Sequence, residues 1–364
     1  MSAQGRATRL GARLLQAAAA LALALSLAAC ERGSGDALTP PNNGVANSLH
    51  LNALMDAAFG SQQQVIDTQQ VRWRANLMLP PAHEARLPSV MLPASEPLAP
   101  PPALTAASHP LPVALQRTAV VTIPREVVRL NETRAVLVFE SVPADGEGRP
   151  ARKQTSQAVL GAVFYSRAAG KNSADKPRVA GEEQWQVSRF LPYVDAVGYE
   201  GSAGDSQVYK LAPDRYLLTF ESESCWQGTC GSWLHGYLLQ PEGMALALQS
   251  RLAGNNRAAH IDCDARLSPQ RSGPRQRRRP AAVPATPASA AASAAIDSHS
   301  CFDVRGEVHP ISREAASADV SIRFKGLVST VRGERQTVQE TQLFRLNDGL
   351  YEQVDGGPNP VPEF

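Results

Sequence analysis

The residues with the most distinctive chemistry lie in the second half of the chain. Cys225 and Cys230 stand five apart, and Cys263 and Cys301 lie on either side of a segment without a core pattern. His260 and His299 accompany the second pair, as His260-x-x-Cys263 and His299-x-Cys301. Two imidazoles and two thiolates can hold zinc tetrahedrally, but these spacings are not those of a familiar zinc finger. Cys225 and Cys230 could also form a redox pair. Reactive pairs commonly sit as Cys-x-x-Cys at a helix start, whereas here four residues intervene between strand-like runs. A structural bridge across the neck of a hairpin is the favoured reading, since cross-strand distances suit a disulfide. Cys263–Cys301 is then the second bridge, closing the long excursion between them. Loop entropy gives about 2 kcal/mol for the short ring and about 4 kcal/mol for the long one.

No catalytic constellation emerges. Glu200-Gly201-Ser202-Ala203-Gly204 lacks the first glycine of a nucleophile elbow, and it lacks the strand–turn–helix setting that an elbow needs. Ser173 and Lys176 spell Ser-x-x-Lys in a polar loop, with no partner motif. No phosphate-binding loop, cofactor motif or His-Glu-x-x-His is present. Glu221 and Glu223 share one strand face and could serve glycoside hydrolysis if suitably separated. An outer sheet face is the commoner place for such residues. His235 reads as a satisfied structural histidine within a strand. Trp185, Trp226 and Trp233 could line a sugar- or peptide-binding surface; a core explains Trp185 and Trp233 equally well, so Trp226, within the cysteine loop, is the candidate binding residue.

The other end of the chain bears on the compartment. Arg6, Arg9 and Arg13 precede an apolar run from Leu14 to Ala29, broken only by Gln16 and Ser26. Basic residues followed by a short apolar run form an export signal, and the run is short for a membrane span. It ends in Leu27-Ala28-Ala29-Cys30. This resembles the lipobox of bacterial lipoproteins, a match confined to residues 1–30. The resemblance implies cleavage before Cys30 and acylation of its thiol. Several acyl chains then hold the protein firmly at a membrane. Glu31, where inner-membrane lipoproteins commonly carry Asp, implies the outer membrane, facing the periplasm. In that oxidising compartment the four remaining cysteines read as two disulfides rather than a metal site. Loss of the three leader arginines takes the basic count from 36 to 33 against 34 acids. The mature net charge of about −1 leaves no global basic balance to suggest nucleic acid.

The elements around these residues divide the mature chain. Residues 30–47 read as a flexible tether. Within 48–79, Leu51, Leu54, Met55, Ala58 and Phe59 recur at helical spacing, and Val65, Ile66 and Trp73 suggest a second helical piece. Residues 80–112 are a Pro-rich linker, including Pro100-Pro101-Pro102. From 113 to 267 the period changes to two, as in Tyr216, Leu218 and Phe220, which predicts a β core. Residues 268–298 carry Arg275, Arg277, Arg278 and Arg279 and then an Ala/Pro/Ser tract, a disordered linker by composition. Residues 299–364 form a C-terminal β unit packing with the core, with Asn347-Asp348-Gly349 as a hairpin turn. The fold class is therefore mainly β. It is an antiparallel meander or β-sandwich with one or two short N-terminal helices and long disordered linkers.

The expected function is that of a non-enzymatic binding or envelope-assembly module. Its expected partners are the membrane, through the lipid anchor, and peptidoglycan or another envelope protein. A cell-wall hydrolase using Glu221 and Glu223, or an inhibitor wielding the Cys225–Cys230 loop as a wedge, are the alternatives.

Overall fold

The computed structural model describes residues 40–60, 63–65, 71–80, 115–167, 183–268, 300–312, 318–330 and 332–362. Cys30, His299, the arginine cluster at 275–279, and Ser173 with Lys176 lie outside these residues. So do most of the tether, the Pro-rich segment and the basic segment.

The described chain is mainly β and antiparallel throughout. The first sheet holds β1 (Val45–Ala46), β2 (Gln63–Val65), β3 (Val71–Leu79), β4 (Gln116–Arg129), β5 (Arg134–Pro143), β6 (Ala158–Arg167) and β7 (Trp185–Val197). Its order is β1-β7-β6-β5-β4-β3-β2. Helix α1 (Leu51–Phe59) lies between β1 and β2 in sequence. The second sheet runs in sequence order: β8 (Asp205–Ala212), β9 (Arg215–Trp226), β10 (Thr229–Gln240), β11 (Gly243–Asn255), β12 (Cys301–Ser312), β13 (Ala318–Ser329), β14 (Arg335–Asn347) and β15 (Leu350–Asp355). A short helix, α2 (Cys263–Leu267), precedes β12.

Both sheets curl. Residues of β3 and β7 come within 8 Å although three strands lie between them, and β8 with β12 and β11 with β15 do the same. Flat sheets would hold such strands about 19 Å apart, at about 4.8 Å per strand.

The curl makes three apolar cores. Inside the first sheet, Leu54, Met55 and Phe59 of α1 meet Trp73, Leu137, Phe139, Tyr165, Trp185 and Phe190. Phe59 stands edge-on to Phe139 at 5.2 Å, and Phe139 stacks on Phe190 at 6.0 Å. Between the sheets, Val136, Val138, Leu160 and Phe164 face Leu218, Phe220, Tyr237 and Leu239. Inside the second sheet, Leu217, Leu234 and Leu252 meet Phe302, Ile322, Phe324 and Phe344. β5 is thus covered on both faces, which is why it reads as an apolar run rather than a strict alternation.

Nine residues make a helix too short to persist alone, so α1 depends on its surroundings. Tyr165 donates its hydroxyl hydrogen to the Leu54 carbonyl at 2.6 Å, and Trp73 donates its indole N–H to Asp56 at 3.1 Å. The second helical piece expected around Val65 and Trp73 is strand instead. Trp73, Leu77 and Leu79 are buried on one face of β3. Their even spacing, which keeps them on one strand face, outweighs the looser spacing of Val65, Ile66 and Trp73.

The C-terminal strands do not form a separate layer. β12 pairs with β11 through Ala253–Arg305 and Asn255–Asp303, so residues 301–355 extend the second sheet edge to edge. The Asn347-Asp348-Gly349 turn forms as expected. Asp348 and Gly349 both take positive φ, 48° and 85°, between β14 and β15.

Candidate functional site

The chain passes from the first sheet to the second through residues 198–204. Gly198, Glu200, Gly201 and Gly204 all have positive φ there. A side chain on Gly198 would drive into the Ser202 carbonyl, its Cβ 1.8 Å from that oxygen. Two residues of the first sheet hold this crossover. Glu140, fully buried, accepts the Ala203 N–H at 3.0 Å, and Arg125 donates to the Gly204 carbonyl. Arg125 and Glu140 are themselves 3.7 Å apart. Ser202 therefore sits in a clamped turn, where its hydroxyl accepts the Gly204 N–H at 3.3 Å.

Beside the crossover the two sheets bring together a polar group. Asp195 ends the irregular part of β7, where Pro192, Tyr193 and Val194 lie opposite Gly161 alone, between the Leu160–Asp195 and Ala162–Leu191 pairs. Such bulges re-aim side chains and are over-represented next to active sites. β11 has two register shifts as well, and both flank the stretch that faces Trp233 and His235. Asp195 reaches the second sheet: it accepts the Tyr237 hydroxyl hydrogen at 2.8 Å and the Ala196 N–H at 2.8 Å.

His235 lies two residues before Tyr237 on the same face of β10. Burial pushes its imidazole below the usual histidine value, against the opposing pull of the Asp195 charge. Its Nδ1 is enclosed and has no hydrogen-bond partner, so it is not the satisfied histidine expected from the sequence. Burial raises the hydroxyls of Tyr193, Tyr199 and Tyr237, with Asp195 adding to the first and last. Two residues before His235, Trp233 packs against Tyr199 with ring centroids 5.1 Å apart. Tyr193, Asp195, Tyr199, Trp233 and His235 are all half-buried. They form a seam of aromatic rings around the His235 imidazole and the Asp195 side chain. Such a seam can grip a ligand that combines an apolar face with hydrogen-bonding edges.

The two expected disulfides are present, Cys225–Cys230 and Cys263–Cys301. Asp262 joins Cys263 and Cys301, and Glu223 joins Cys225 and Cys230, in arrangements that could suit a metal. The sulfurs are bonded to one another, however, so no thiolate pair is on offer to zinc. Cys263 and Cys301 are fully buried with Leu267. Trp226 is half-buried, paired with Thr229 at the end of the hairpin, and its indole N–H is enclosed without an acceptor. The hairpin tip rests on the 258–259 backbone, since a Cβ at Gly228 would lie 2.3 Å from the Ala258 carbonyl carbon. A wedge inhibitor needs a projecting tip, and this one is backed by the body.

Glu221 accepts the Ser232 hydroxyl hydrogen at 3.0 Å, and Glu223 is exposed. The two carboxylates sit along one strand. Glycosidase carboxylates flank the scissile bond from opposite sides. Trp185 is core, as expected.

The sequence signal that could have found the site was weak: Tyr193, Asp195, Tyr199, Trp233, His235 and Tyr237 recur at even spacings in two separate runs. Comparison with known protein families, characterised proteins and solved structures finds no match for this chain.

Proposed function

We propose that this chain is an exported lipoprotein, anchored through acyl groups on Cys30 to the outer membrane and facing the periplasm. Its β body is a non-enzymatic binding or assembly module of the envelope. The observation that carries this reading is the state of the four remaining cysteines, all joined in pairs, one pair sealed in the interior. Persistent disulfides suit an oxidising compartment, which agrees with an export-type N-terminus. Among the described residues no helix is long and apolar enough to cross a membrane, and acylation is the means of attachment in this reading.

The seam supports binding over turnover. His235 and Asp195 could exchange protons, but Asp195 is already committed to Tyr237 and to the Ala196 N–H. The half-buried aromatic pair of the seam is Tyr199 against Trp233. Peptidoglycan sugars, with apolar ring faces and hydroxyl edges, fit that chemistry, as does a loop of another envelope protein.

Growth with an alkyne-bearing palmitate tests the anchor. The wild-type chain should carry the label and fractionate with membranes, and Cys30→Ser should do neither. An unlabelled chain with an intact amino terminus would overturn the proposal. Co-sedimentation with purified peptidoglycan tests the ligand, and Trp233→Ala should reduce it at least fivefold without loss of fold.

A further inference from the structure

The two disulfides differ in what they hold and in who can reach them. Cys263–Cys301 is fully enclosed and closes a separation of 38 residues. Cys225–Cys230 spans 5 residues, with Cys225 exposed and Cys230 half-buried.

The short bridge also staples a hairpin that is closed without it. Gln227 and Gly228 take positive φ, 47° and 83°, in a two-residue turn. That backbone matches the twist of the strands it joins. The β9–β10 ladder then runs unbroken from Trp226–Thr229 to Tyr216–Leu239. Cys225 and Cys230 face each other in that ladder with Cα atoms 4.0 Å apart. The turn and the ladder join the two strands independently of the bond. The two sulfurs remain neighbours and can rejoin. A bridge that is exposed and closes only a short ring is suited to exchange, whereas an enclosed one is suited to permanence.

We propose that Cys225–Cys230 is a thiol–disulfide exchange site that takes electrons from a dithiol, while Cys263–Cys301 stays closed. A thiolate of the dithiol attacks the exposed Cys225 Sγ. The Cys225–Cys230 bond breaks, and Cys230 leaves as a thiolate that takes up a proton. The second thiol of the partner then attacks its own sulfur in the mixed disulfide. Cys225 is released as a thiolate and is protonated in turn. Two electrons and two protons pass to this chain, and the dithiol becomes a disulfide. Access sets the direction of attack. Cys225 is exposed and Cys230 half-buried, so an incoming thiolate meets Cys225 first and Cys230 is the first leaving group.

The test uses the folded, full-length protein in dithiothreitol, with timed alkylation and peptide mass spectrometry. Cys225 and Cys230 should become labelled at least tenfold faster than Cys263 and Cys301. The far-ultraviolet circular dichroism should not change, and reoxidation should restore the bridge. Glutathione, used as a monothiol probe, should be trapped on Cys225 rather than Cys230. Equal rates for the two bridges, reduction only with loss of the dichroism signal, or trapping on Cys230 would each overturn the proposal.

Discussion

Replacing both Cys263 and Cys301 by alanine removes the bridge that ties α2 to the first residue of β12. The separation of 38 residues sets the magnitude. In the chain-entropy account, a ring of that size restricts the unfolded chain by about 4 kcal/mol at room temperature. The folded side of the balance changes less. Both side chains are fully buried beside Leu267 and the partly buried Leu327, and alanine keeps the site apolar. β12 also stays paired along β13 from Cys301–Ser329 to Ser312–Ala318. For a folded body of this size, 1 kcal/mol moves the melting temperature by about 2–4 °C, so the double variant should melt about 8–16 °C lower. Calorimetry and urea unfolding of both proteins, with the Cys225–Cys230 bridge intact in each, measure the difference. A loss below about 1 kcal/mol would refute the entropic argument. So would a wild-type protein destabilised by a chelator and indifferent to reductant, because the sulfurs would then be serving a metal.

Other expectations follow from the same contacts. Glu140→Ala strips the clamp from the crossover and leaves Arg125 without its buried partner. Breaking a buried pair costs about 3–5 kcal/mol, and the partial exposure of Arg125 places this case at the lower end, readable by urea unfolding. Tyr237→Phe deletes the hydroxyl that reaches Asp195 across the two sheets, a hydrogen bond to a charged group worth about 1.5–3 kcal/mol; full retention of stability in a denaturant titration would contradict its role. His235 gives a pH dependence of known sign. Its folded proton affinity lies below the unfolded value of 6.5, so the unfolded chain binds more protons as pH falls below about 6.5. Stability should therefore decline from there down to the lowered folded value, and His235→Gln should flatten that part of the stability–pH curve.

Local chemistry made part of this fold legible. Asn347-Asp348-Gly349 accepts positive φ at two successive positions and must turn the chain. Cys225 and Cys230 bracket a stretch short enough to be a hairpin neck. Alternation in Tyr216, Leu218 and Phe220 marks a strand wherever its partner lies. Position in three dimensions was less visible. The bulge at Pro192, Tyr193 and Val194 has no periodic signature, yet it aims Asp195 at Tyr237, 42 residues away. His235 looked ordinary because the burial that shifts its proton affinity comes from two sheets that meet only after folding. The boundary between the sheets at 198–204 fell inside what read as one continuous β core. The helical reading near Trp73 failed because the competing two-residue period of β3 was not counted.

The strand order has a consequence for how such a chain could mature while crossing a membrane from its amino end. Nearly every strand pairs with the one just before it, so each can zip onto a growing edge as it emerges from a translocation channel. Only β1 must wait, because its partner β7 follows some 140 residues later. The outer surface of the first sheet, with Val136, Val138 and Phe164 on it, stays uncovered until β9 and β10 arrive. In any synthesis from the amino end, that apolar surface is bare for a short, definable interval, between the completion of β7 and the closing of the Cys225–Cys230 hairpin.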